Sequence, residues 1–417
     1  MKISNSINRD IEMVTENKKY VPTLRFPEFQ NDGEWNYEYG NMLYDSIVNK
    51  KHKSDLPILA ITQDNGAIPR DEINYRVVVD DKSIEGYKIV EIGDFIISLR
   101  SFQGGIEYSR YKGLCSPAYI VLRKKHSKIC DNFYRHYFKS FQYIQALNRN
   151  LEGIRDGKMV SYKQFSDIKL PYPSLVEQKK IADCLSSLDK YIDATKRKLE
   201  LLKEYKNGLM QRLFPAKGKT VPELRFPEFQ NDGEWNYENG NELYDSIVNK
   251  DHNSDLPILA ITQDNGAVPR DDINYRVVVE KKSIEGYKVV EVGDFIISLR
   301  SFQGGIEYSL YRGLCSPAYI VLRKKHNEIC DDFYRHYFKS FLYIQELNRN
   351  LEGIRDGKMV SYKQFSDIRI PHPSPTEQKM VANCLSSLDD TIKSCEDKIS
   401  TLELHKKGLM QQLFPKL

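Results

Sequence analysis

The sequence predicts an α+β protein made of two globular domains in tandem, each followed by a long α-helix. Three observations predict it. Residues 21–210 recur at 221–410 with a constant offset of 200 and no gaps. Within a copy, short β-branched runs alternate with turn residues over most of the length, and each copy closes on a heptad seam. The copies differ at 40 of those 190 positions, and Asp94–Ser109 returns unchanged at Asp294–Ser309. The period is far longer than the roughly 20–50 residues of solenoid repeats, so this is domain duplication. A chain carrying two copies of one surface should engage a partner offering two copies of one feature, as duplex DNA does.

In chain order, residues 1–20 have no counterpart in the second copy and form an N-terminal tail. The run Asp55–Thr62 ends at Gln63-Asp64-Asn65-Gly66, Tyr75–Val79 is β-branched, and Tyr87–Ile92 stops at Gly93-Asp94. Phe95–Leu99 stops before Gly104-Gly105, and Tyr119–Leu122 follows Ser116-Pro117. Composition and punctuation make these runs strands. Phe133, Tyr134, Tyr137, Phe138, Phe141, Ile144 and Leu147 then recur at helical spacing.

Ser174 and Glu177 stand three apart, as do Ser374 and Glu377, which predicts a capping box whose side chains satisfy each other's free amides. From there Ile181, Leu185, Leu188, Ile192, Thr195, Leu199, Leu202, Lys206, Leu209 and Leu213 step by alternating four and three residues, and the second copy keeps the register from Val381 to Leu413. Each helix should be on the order of 50 Å long. Gly208 and Gly408 are expected to interrupt the helices, and Phe214-Pro215 and Phe414-Pro415 to end them. The stripe has no evident partner in its own copy and an equal one in the other. The two helices are therefore expected to pack as an antiparallel coiled coil, giving a pseudo-twofold molecule. Positions 191–200 differ at eight of ten places between the copies, either through drift at solvated positions or because the two helices meet as unlike partners.

The net charge of +4 balances 62 basic against 58 acidic residues, so any affinity for nucleic acid must come from patches. No apolar stretch approaches ~18 residues and the polar start lacks a signal sequence, so a cytoplasmic chain is the expectation. The seven cysteines show no CxxC or Cys/His metal spacing and are expected to be reduced thiols; the eight histidines show no metal-ligand spacing. No nucleophile elbow or metalloprotease motif is present, which leaves an enzyme reading only the acids Glu91 and Asp94. His136, among aromatic residues, reads as a packed helix residue.

Two segments read as DNA-contacting loops. Leu99–Ser109 carries Arg100, Ser101, Gln103 and Gly104, repeated as Arg300, Ser301, Gln303 and Gly304. Arginine can bridge the two acceptors of guanine, glutamine the donor-acceptor pair of adenine, and glycine lets a backbone come close. The alternative is a hairpin turn with a solvated arginine. In Glu152–Gln164, Arg155, Lys158 and Lys163 offer phosphate contacts and Ser161 and Tyr162 offer hydroxyls, with Arg355, Lys358, Ser361, Tyr362 and Lys363 as their copies. The alternative there is a basic helix-entry loop. The segment also mimics a phosphate-cradling loop, but Gly153 and Gly157 enclose three residues instead of four, and Met159 follows Lys158. A third candidate, Gln63–Gly66 with Arg70, either adds contacts or is a plain turn.

The chain resembles the DNA-specificity subunit of type I restriction-modification systems. The resemblance rests on Val21-Pro22-x-Leu24-Arg25-Phe26-Pro27-Glu28-Phe29, on Leu170-Pro171-x-Pro173-Ser174-x-x-Glu177-Gln178-x-x-Ile181-Ala182, on Leu185–Asp189, and on Gly208-Leu209-Met210-Gln211-x-Leu213-Phe214-Pro215. All recur in the second copy, with Ile370 for Leu170 and Val381 for Ile181. The resemblance implies a non-catalytic subunit with target-recognition domains at 21–172 and 216–372 and conserved spacer helices at 173–215 and 373–417. It implies double-stranded DNA as ligand, two methyltransferase subunits that methylate adenine, and two restriction/translocase subunits in the full complex, with no membrane partner. No cofactor is implied for this chain; S-adenosylmethionine, ATP and magnesium are expected on the partner subunits. Specificity subunits of this family commonly carry two dissimilar recognition domains, whereas here they are nearly the same, so two similar inverted half-sites are expected. Arg110/Leu310, Lys112/Arg312 and Gln142/Leu342 are the differences best placed to make the half-sites unlike. The rival reading is a DNA-independent assembly scaffold.

Overall fold

A computed structural model of the chain describes residues 20–53, 55–73, 84–149, 160–253, 255–273, 284–349 and 360–415. They fall into two compact units, one drawn from 1–194 and 398–417, the other from 195–397. The described residues of the first unit form the strands β1 (Asn36–Tyr39), β2 (Tyr44–Ile47), β3 (Leu59–Thr62), β4 (Gly66–Pro69), β5 (Lys88–Val90), β6 (Phe95–Ile97), β7 (Glu107–Tyr108), β8 (Gly113–Cys115), β9 (Ile120–Lys124) and β10 (Lys169–Tyr172). Their helices are α1 (Gly40–Leu43), α2 (Ser101–Gly104), α3 (Asp131–Tyr137), α4 (Phe141–Arg149), α5 (Tyr162–Ser166) and α6 (Leu175–Leu213), whose second half belongs to the other unit. The second copy repeats every element 200 residues on, ending in α12 (Pro375–Leu413). The predicted strand at 75–79 lies outside the described residues.

An antiparallel four-stranded sheet in the order β2-β9-β6-β7 is the frame of the first unit. Successive strand residues face opposite ways, and β6 uses both faces. Phe95 and Ile97 enter one core with Tyr44, Leu122, Tyr134 and Phe138, while Ile96 enters a second with Leu59, Val90, Cys115 and Val121. Aromatic rings dominate the first core, with Phe95 and Phe138 edge to face at 5.1 Å.

The helical run predicted across 133–147 is two helices. Ser140 Oγ accepts the Tyr143 amide (3.2 Å), so the serine ends one run and caps the next. The capping box at Ser174 is half formed: the Glu177 amide donates to Ser174 Oγ (3.2 Å), but the Glu177 carboxylate is taken instead by Arg25, in two bonds of 2.7 and 2.8 Å. Arg25 and Glu177 side chains are 7% and 2% exposed, and Arg225 and Glu377 repeat the pair. The entrance motif and the helix-entrance motif are thus one buried joint. Gly208 does not interrupt α6, which runs 39 residues, about 58 Å at ~1.5 Å per residue. One glycine weakens a helix without ending it, and here the apolar seam continues on both sides.

Both units hold helix segments that run in opposite directions. In the second, Lys203 pairs with Glu396 (2.8 Å) and Lys206 with Asp389 (2.5 Å), so partner numbers fall as α6 advances. In the first, Lys406 reaches Asp189 (2.5 Å), and Leu413 and Phe414 complete the aromatic core beside Ile181 and Leu185. The pairing of α6 with α12 is antiparallel, as the seam predicts.

Candidate nucleic-acid interface

Strand β6 leaves the core at Ile97 and the chain turns at once. The Ser98 amide donates to Ser101 Oγ (2.9 Å) and the Arg100 amide to Ser98 Oγ (3.3 Å), winding 101–104 into the single turn α2. Arg100 and Gln103 are exposed, and among the described residues neither side chain has a hydrogen-bond or ionic partner. Ser101 is only 1% exposed and its hydroxyl is used by the turn. Ser101 and Ser301, expected on the contact surface, are scaffold residues; a buried hydroxyl already serving a backbone amide cannot face a ligand.

The paired glycines allow close approach, but to the protein itself. A side chain at Gly104 would come within 2.7 Å of the Gln63 side chain. Gly105 has φ +81°, in the left-handed region, and a Cβ there would run into the Phe138 carbonyl.

Those contacts bring the first and third candidate segments together. Gln63 Nε2 donates to the Arg100 carbonyl (3.4 Å). From the corner between α3 and α4, the Lys139 ammonium donates to the carbonyls of Gln63 (3.1 Å) and Gly104 (2.9 Å) and to Glu107 Oε1 (2.5 Å). Asn148 Nδ2 donates to the Phe102 carbonyl (2.8 Å) from the far side. The result is a fixed platform with Gln63, Asp64, Asn65, Arg100 and Gln103 exposed on it. Arg70 is half-buried in the turn after β4. The second unit repeats the Lys339 bonds to Gln263 (3.1 Å) and Glu307 (2.5 Å). Glu107 is buried, and burial outweighs the lysine, pushing its carboxyl up to about 7. Nothing in the sequence singles out Lys139 or Glu107; they lie 32 residues apart and are joined only by the fold.

Of the second loop, Arg155, Lys158, Arg355 and Lys358 lie outside the described residues. Ser161 is a helix cap: the Gln164 amide donates to its Oγ (3.2 Å) and its own amide to Gln164 Oε1 (2.8 Å). Tyr162 donates its hydroxyl to the Tyr44 carbonyl (2.9 Å). Ser361 and Tyr362 do the same in the second unit. These hydroxyls, expected to contact DNA, hold α5 in place, and Ser-x-x-Gln was the sequence signal for it. Lys163 and Lys363 are exposed without a partner among the described residues.

Three further residues prove structural. Asp94 accepts two bonds from Arg123 (2.7 Å each) and one from the Glu91 amide (2.8 Å). His136 is buried and its Nε2 lies 3.0 Å from Ser186 Oγ. Gln142 is buried too and donates to the carbonyls of Gln411 (3.1 Å) and Phe414 (3.2 Å), so its replacement by the half-buried Leu342 removes a helix-end contact. Among the described residues no group of three or more His, Cys, Asp or Glu could hold a metal ion, and no helix is long and apolar enough to cross a membrane.

The sequence profile of the type I restriction modification DNA specificity domain matches twice, over residues 26–204 and 213–404. The MjaX type I restriction enzyme specificity subunit of Methanocaldococcus jannaschii is 26% identical over 383 residues, 87% of each chain. The MjaVIII specificity subunit of the same organism is 26% identical over 345 residues, 78% of this chain and 79% of that one. The solved S subunit of a type I restriction-modification system from M. genitalium shares the fold, with a TM-score of 0.55 at 15% identity, over 95% of this chain and all of that one. With a duplicated α+β unit, paired long helices and two profile matches that span most of its length, the chain belongs to the type I restriction-modification DNA-specificity family.

Proposed function

We propose that the protein is the subunit that reads a bipartite DNA site for a type I restriction and adenine-methyltransferase complex, with one half-site per unit and the two half-sites similar and inverted. The observation that carries this reading is that two units present the same platform, Gln63–Gly66 against Arg100–Gly104 and the identical Gln263–Gly266 against Arg300–Gly304, on helices that pair antiparallel. Arg100 and Gln103, with Arg300 and Gln303, read base edges; Lys163 and Lys363, with Arg155, Lys158, Arg355 and Lys358, meet phosphates. Gly104 and Gly304 shape the platform.

In this reading residues 21–172 and 216–372 are the recognition domains and 173–215 and 373–417 the spacers that fix the gap. Two methyltransferase subunits, and two restriction subunits in the full complex, supply the chemistry together with S-adenosylmethionine, ATP and magnesium. Arg110 and Leu310, both exposed, are the replacement most able to make the half-sites unlike, since Lys112 and Arg312 make the same ion pair with Glu91 and Glu291. Mapping methylated adenines in DNA modified by the assembled complex tests the proposal. Two similar sequences in opposite orientation across a constant gap are expected; two unrelated half-sites would refute it.

A further inference from the structure

The apolar seam does not tell α6 from α12. Ile192 matches Ile392, Leu202 matches Leu402 and Leu209 matches Leu409; Leu199 gives way to Ile399 and Thr195 to Cys395, both changes between side chains of similar size. A pair of two α6 helices, or of two α12 helices, from different chains would bury nearly the same surface as the observed pair. The lysine–aspartate contacts within the seam do not discriminate either. Lys206 meets Asp389 and Lys406 meets Asp189, and both residue types stand at the same places in both copies. A like pair would keep them.

The flanking positions differ. With Leu202 and Leu402 at position d of the heptad, Lys203 and Glu403 are at e, as are Lys196 and Glu396 one heptad earlier. In antiparallel helices e faces e, and Lys203 is found 2.8 Å from Glu396. Since 196 is the counterpart of 396, two α6 helices in this register would set Lys203 against Lys196. Two α12 helices would set Glu403 against Glu396. The charges at these positions are reversed as a block between the copies, while the neighbouring e positions 189/389 and 210/410 are unchanged.

We propose that Lys196 and Lys203 on α6, with Glu396 and Glu403 on α12, form a charge code by which α6 accepts an α12 and rejects a second α6, so that the copies within one chain pair in preference to like helices of two chains. The Lys203 and Glu396 side chains are 46% and 40% exposed, and an exposed ion pair adds little stability of its own. Its effect is discrimination, a difference between an attractive arrangement and a repulsive one. The inference does not depend on whether the units read DNA.

The test uses the full chain. Lys196→Glu with Lys203→Glu makes both helices acidic at e, and Glu396→Lys with Glu403→Lys makes both basic. Each double variant should shift the folding equilibrium roughly 5- to 30-fold toward the unfolded chain in low salt, with most of the loss removed in ~1 M salt. The fourfold variant carrying all the exchanges should recover the stability. Mixed one to one, the acidic and basic double variants should form a species of twice the chain mass by native mass spectrometry, since each helix finds its opposite only in the other chain. A fourfold variant no more stable than the sum of its two doubles would overturn the proposal, and so would an equimolar mixture that stays as two separate monomers.

Discussion

Lys139 holds Glu107 and the platform at once: one ammonium bridges a buried carboxylate at 2.5 Å and the carbonyls of Gln63 and Gly104. Removing it leaves a buried carboxylate without its cation. Lys139→Met should cost roughly 1–3 kcal/mol, below the ~3–5 of a fully buried pair because the lysine is partly exposed. Denaturant titration measures this. An unchanged midpoint would mean that the pair contributes nothing to the fold.

The same carboxylate opposes the buried histidines in its pH dependence. Glu107 and Glu307 are pushed from 4.5 up to about 7 by burial, so the folded chain keeps protons that the unfolded chain has lost. Their contribution is greatest below about pH 4.5 and declines as pH rises to about 7. His136 and His336 are lowered by burial from 6.5 to about 3 and about 4, so their contribution is present above pH 6.5 and lost as pH falls. Thermal melts from pH 4.5 to 6.5 should be flattened by these opposed slopes. Glu107→Gln with Glu307→Gln should leave melting temperatures that rise with pH, and His136→Gln with His336→Gln should leave ones that fall. The same slope in both variants would contradict the assignment.

Arg25 grips Glu177 with two parallel bonds in a buried joint. Arg25→Ala should lose about 3 kcal/mol, and Arg25→Lys should recover less than half of it, because an ammonium cannot make the two-pronged contact. Arg225→Ala should show the same loss through Glu377. Urea midpoints of the three variants decide the matter; full recovery by lysine would show that charge alone is needed.

Gly208 sits inside α6 with nothing within 4 Å of an added Cβ. Gly208→Ala should raise stability by about 0.5–1 kcal/mol, as should Gly408→Ala. Lower thermal stability in either variant would mean that the helix needs local freedom there.

On DNA, Arg100→Ala with Arg300→Ala should cost ~1–3 kcal/mol per half-site and blur one base position in each, whereas Lys163→Ala should weaken binding on all sequences and lower the salt slope by about one. Binding to a cognate site and to a scrambled duplex at several salt concentrations separates the two. If all these variants bind DNA like the parent, the scaffold reading stands in place of the DNA-reading one.

The repeat, the helix seam and the strand runs that fall within the described residues were legible in the sequence because each is a periodic signal that packing rewards. The break at Ser140 was not, since a serine inside an amphipathic run looks like any exposed position until its hydroxyl is seen to take the Tyr143 amide. The platform was half legible. Arg100, Gln103 and Gln63 stand out by residue type beside glycines, yet their meeting depends on Lys139, 76 residues beyond Gln63. The structural bonds of Ser101, Ser161 and Tyr162 were not legible, because a hydroxyl in a polar loop gives no sign of whether a backbone group has already claimed it.

The first unit closes its aromatic core with Leu413 and Phe414, synthesised more than 200 residues after its own strands. The second draws only on 195–397 and is complete in the nascent chain before them. The half of the protein that emerges first from the ribosome is therefore the last to finish folding, and it waits through the translation of its own duplicate with its Ile181 and Leu185 face uncovered.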